Sequence, residues 1–79
     1  MKNKFSTAEI KCAIQKGLQL EYGFFPQHKR DIIIWEAEIT PAGDMLVCFR
    51  VRGHKYHIIL REYGLQIKPL ENSIKRIMA

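Results

Sequence analysis

Seventy-nine residues allow one domain with one small core, and a chain of this size buries only roughly 60% of the surface its unfolded form exposes. An apolar content of 47% with 27% charged residues excludes a largely disordered chain, and thirteen Lys and Arg against eight Asp and Glu leave a net charge of +5 that favours polyanions or acidic surfaces as partners. Two cysteines without C-x-x-C spacing exclude a disulfide framework, and no apolar run reaches the ~20 residues of a membrane span.

Met1-Lys2-Asn3-Lys4-Phe5 is basic but runs into Ser6-Thr7-Ala8-Glu9 rather than into an apolar signal core. The expectation is a cytoplasmic chain with both thiols reduced. Ser6 to Glu9 fits a capping box, with Phe5 and Ile10 as a hydrophobic staple. A helix is predicted over 7–22, with Ile10, Ile14, Gly17, Leu18 and Glu21 on one stripe and Lys11, Gln15, Lys16 and Gln19 away from it. Gly23 is its expected stop. Pro26 breaks the connection that follows, which ends in His28-Lys29-Arg30.

The first strand is predicted from Ile32 to Ile39, with Ile33, Trp35, Ala37 and Ile39 inward and Ile32, Ile34, Glu36 and Glu38 outward. Thr40 to Asp44 forms a turn. Strand two carries Met45, Val47, Phe49 and Val51 inward, and strand three Tyr56, Ile58 and Leu60. A tight turn at Gly53-His54 would set Arg52 opposite Lys55 and Arg50 opposite His57. Tyr63-Gly64 turns the chain into a short fourth strand, Leu65 to Lys68, and a final helix is predicted from Asn72. The fold class is thus α+β, one domain over 1–79: a two-layer sandwich of an N-terminal helix on an antiparallel meander of three to four strands, closed by a short C-terminal helix. Trp35, Phe49, Ile58, Ile14 and Leu18 are its expected core.

Candidate function lies on the second face of the sheet. Like charges set across a strand pair destabilise a sheet, so folding alone does not call for them. The predicted basic binding face comprises Lys29, Arg30, Arg50, Arg52, His54, Lys55 and His57, residue types suited to phosphate. Ile32, Ile34, Cys48 and Ile59, with Leu46, form an apolar surface that suits a protein interface, a homodimer included. His54 and His57 point to opposite sides, and neither a metal site nor a cofactor is expected.

The order helix, meander, helix is similar to that of double-stranded-RNA-binding domains and HicA-type toxins, and helix plus meander is similar to PepSY-type domains. Asn72-Ser73-Ile74-Lys75-Arg76 lacks the alanine-containing basic cluster of the first, and strand one lacks the histidine of the second. PepSY-type domains are usually exported, whereas this chain shows no signal. The expected function is a small regulatory binding module, of the kind phages and mobile elements encode, that takes nucleic acid or an acidic protein surface and performs no reaction of its own. The alternative is a metal-independent ribonuclease of toxin type with His57 as general base.

Overall fold

The structure is a computed structural model and describes residues 5–78, so the basic Met1 to Lys4 stretch lies outside it. Helix α1 spans Thr7–Tyr22. Its start is the capping box: the Glu9 amide donates to Ser6 Oγ at 3.1 Å, and the Ser6 amide to Glu9 Oε1 at 2.9 Å. Gly23, at φ +74°, ends it by donating its amide to the Gln19 carbonyl. Ile10, Ala13, Ile14, Gly17 and Leu18 are buried. So is Gln15, contrary to its predicted outward placement, because its Nε2 donates to the Pro26 carbonyl and ties the helix to the following connection.

Five strands follow: β1 (Ile33–Ile39), β2 (Met45–Val51), β3 (His54–Tyr63), β4 (Gln66–Pro69) and β5 (Lys75–Arg76). They form one antiparallel sheet in the order β1-β2-β3-β4, with β5 also on β3. Helix α1 lies over β4 and β3. Phe49, Ile14, Leu18, Ile32, Ile58 and Leu60 are among the fully buried side chains between the two layers.

Strand β1 departs from the predicted parity. Ile39 pairs with Met45 and Ala37 with Val47 as expected, but a β-bulge between Ile34 and Glu36 then inserts Trp35 as an extra residue. Ile34 therefore pairs with Phe49, and Ile32 and Ile34 turn inward. Trp35 is 48% exposed and Ile33 49%, so Trp35 is not a core residue. Packing explains the choice. Phe49 is already stacked on Tyr56 at 5.4 Å between ring centroids, with Tyr22 edge-on to Tyr56. A fourth large ring beside them would overfill that layer, whereas two isoleucines fit.

The β2–β3 hairpin also differs. Its two turn residues are Arg52 and Gly53, at φ +54° and +78°, which places Val51 opposite His54 rather than opposite Tyr56. Positive φ at both central positions matches the right-handed twist of the strands it joins. Every pair beyond is displaced by two residues from the predicted register, so each side chain keeps its predicted face but changes partner.

No C-terminal helix forms, and α1 is the only α-helix among the described residues. Asn72 adopts φ +60°, outside the right-handed helical region, and the chain returns to the edge of β3. Strand β3 has ten residues, of which β4 covers Leu60 to Tyr63. The rest of that edge would leave backbone groups unpaired. Leu70 donates its amide to the Ile59 carbonyl; Ser73 Oγ accepts the Ile59 amide at 3.2 Å and donates to the Ile59 carbonyl at 3.1 Å; β5 pairs with Tyr56 and His57. The fold is one helix on a broken-edged antiparallel sheet. The similarity of element order to RNA-binding domains and HicA-type toxins fails at its last element.

Candidate nucleic-acid interface on the open sheet face

The sheet face away from α1 is organised in rows, because directly opposed residues on neighbouring strands share a face. At the hairpin end Ile33 lies opposite Arg50, and Arg50 opposite Lys55. The next row runs from Glu36 to Cys48 to His57 to Lys75. Glu38, Leu46 and Ile59 form the third. Beyond it Arg61 lies opposite Lys68.

Charge is sorted along this surface. Arg61 is committed to Asp44, with Nε to Oδ1 at 2.9 Å and Nη2 to Oδ2 at 3.0 Å. This planar two-bond pairing holds the Asp44 carboxyl below its ordinary range and the guanidinium above its own. Arg50, Lys55 and Lys75 have no described carboxylate within ion-pair distance. The Lys55 ammonium instead lies 6.0 Å from the Trp35 ring centroid, which brings Trp35 to the same end of the face. A shallow depression beside the turn is lined by Asp31, Ile33, Arg50, Arg52 and Lys55.

The predicted binding residues divide accordingly. Arg50, Lys55 and His57 lie on the open face. Lys29 and Arg30 form a 3-10 turn with Asp31 that packs against α1, and neither lines the depression. Arg52 is a turn residue whose guanidinium carbon sits 4.7 Å from the Phe24 ring centroid. His54 pairs with buried Val51 on the helix side, where its Nδ1 meets Arg76 Nη2 at 2.7 Å. Of the apolar set, Ile32 is wholly buried and Ile34 packs against the core. Leu46, Cys48 and Ile59 remain on the open face, each half-buried.

Ile33, Trp35 and Lys75 join the site although sequence reasoning did not place them there. The unalternating run Ile32-Ile33-Ile34 was the available signal that strand parity was undecided. Lys75 was hidden by the expected helix.

Nucleophile chemistry is poorly served at the centre of this face. Burial, and then the nearby Glu36 and Glu38, push the Cys48 thiol upward, away from the thiolate that attacks. His57 Nδ1 is buried and meets no hydrogen-bond partner among the described residues. No group of three or more His, Cys, Asp or Glu among them is arranged to hold a metal ion. No helix among them is long and apolar enough to cross a membrane. No protein-family model, curated protein or solved structure matches the chain.

Proposed function

We propose that this chain is a binding module whose open sheet face takes nucleic acid through its phosphates. The observation that carries this reading is the Arg50–Lys55 pair: two cations directly opposed across neighbouring strands, continued by Lys75 beside His57, with no described carboxylate in ion-pair distance of Arg50, Lys55 or Lys75. Opposed like charges destabilise a sheet unless an anion lies between them. Arginine and lysine together supply a planar fork and a point charge, a combination suited to successive phosphates. Glu36, at the β1 end of the row that Lys75 closes, and Glu38, in the row beyond, repel phosphate from their side of the face, which sets an orientation.

The test is retention of mixed RNA and DNA oligonucleotides by the purified protein at low and high salt. Binding should weaken steeply as salt rises, through counterion release. Arg50→Glu with Lys55→Glu should abolish it while urea melting stays cooperative. Binding only to polyglutamate would assign the face to an acidic protein instead. RNA cleavage in EDTA that disappears in His57→Ala would replace the binding reading with that of a ribonuclease.

A further inference from the structure

We propose that the nucleic acid taken here is single-stranded and that Trp35 is the platform on which one of its bases stacks. This inference rests on the binding reading above and adds the class of ligand. The β-bulge is the device that creates the platform. One extra residue in β1 takes Trp35 out of the core parity and leaves its indole half-exposed beside Lys55, while Ile32 and Ile34 fill the core in its place.

The surroundings of the ring require a ligand with two kinds of surface. Leu46, Cys48 and Ile59 make the middle of the face apolar and Ile33 flanks Arg50 on β1, whereas Arg50, Lys55 and Lys75 supply positive charge. A double helix shows a protein its phosphates and its groove edges, and keeps its base faces stacked against one another. A single strand shows phosphates and unstacked base faces together, and aromatic rings in basic grooves bind it without needing a particular sequence. Among the described residues the only α-helix lies on the other side of the sheet, so none stands on this face to enter a groove. Neighbouring strands lie roughly 4.8 Å apart, so the track from Trp35 over Arg50 and Lys55 to Lys75 crosses three strand intervals, about 14 Å. Glu36 stands at the β1 end of the row that Lys75 closes, Glu38 lies in the row beyond, and Asp44 neutralises Arg61 past them. The course from Trp35 over Arg50 and Lys55 to Lys75 therefore runs across the β-strands.

The chain contains one tryptophan, so its fluorescence reports on this site alone. The experiment titrates the intact protein with an unstructured single-stranded oligonucleotide of about ten nucleotides, and with the blunt duplex of the same sequence. The expected result is strong quenching by the single strand and little by the duplex. Trp35→Ala should weaken single-strand binding between about fivefold and a hundredfold, with Trp35→Phe retaining most of it. Circular dichroism establishes that each variant is folded, and Trp35→Phe carries the comparison if the alanine variant is not.

Equal affinity for duplex and single strand, or binding indifferent to Trp35→Ala, overturns the stacking. If Lys55→Glu still removes that binding, the phosphate-binding reading survives alone. Absence of binding to either nucleic acid overturns both, whether or not polyglutamate binds.

Discussion

Arg50 and Lys55 stand directly opposite each other on β2 and β3, with no described carboxylate in ion-pair distance of either. Lys55→Glu converts this repulsion into attraction, and cross-strand pairs of this kind are worth roughly 0.2–1 kcal/mol. The variant should unfold at a slightly higher urea concentration than the wild type and should no longer retain nucleic acid. A variant that is less stable and binds normally would show that the pair serves the fold.

Acid should act through Asp44. Its side chain keeps 10% of its surface and is paired with Arg61, whose hydrogen bond and charge hold the carboxyl below its ordinary 3.8. A carboxyl lowered by folding contributes stability that is present above its unfolded value and lost as pH falls through its folded value. The stability advantage of wild type over Asp44→Asn should be constant near neutrality, narrow below about pH 4, and vanish once the folded carboxyl is protonated. Parallel stability curves for the two proteins down to pH 2 would show that the pair contributes nothing.

Gly17 reports on the contact between helix and sheet. A Cβ at this position would lie 2.7 Å from Ile58 Cδ1 and 3.5 Å from Pro69 Cβ. Alanine improves helix propensity by about 1 kcal/mol, whereas displacing a buried side chain costs about 1–3 kcal/mol. Gly17→Ala alone should therefore be neutral to mildly destabilising. Ile58→Val removes the obstructing methyl, and adding Gly17→Ala to that variant should raise its stability by about 1 kcal/mol. Additive single and double effects in urea melts would contradict the contact.

Ser73 separates the observed chain end from the helix predicted there. Its hydroxyl both accepts the Ile59 amide and donates to the Ile59 carbonyl, filling the gap between β4 and β5. Ser73→Ala should cost about 1–2 kcal/mol and accelerate hydrogen exchange at the Ile59 amide. Had this segment been helical, the same change would have stabilised it, since alanine is the better helix former.

Short-range chemistry made part of this protein legible from its residues. Ser6 and Glu9 lie three apart and satisfy each other, Gly23 takes the left-handed conformation that stops α1, and Thr40 to Asp44 closes a turn on itself. None of these depends on distant contacts, so the order from α1 through β4 could be read directly, whereas the C-terminal helix predicted after it is absent among the described residues. Arg50, Lys55 and His57 were assigned to the correct face for a related reason: a register error of two residues changes partners without changing sides.

Long-range packing decided the rest. Gly53 can occupy either central position of a two-residue turn; here it takes the second, and that register sets Phe49 opposite Tyr56, where their rings stack. Both parities of β1 bury isoleucine, so the bulge that expels Trp35 follows from the aromatic layer beneath it rather than from any pattern in Ile32 to Trp35. Lys75–Arg76 became an edge strand, with Ser73 and Ile77 hydrogen-bonded to β3 on either side of it, because β3 extends beyond β4 and its backbone groups require partners. Two of those decisions, on β1 and on the chain end, brought Trp35 and Lys75 to the open face. A one-dimensional pattern carries no information on how much space a core layer has left, or on which edge groups remain unpaired.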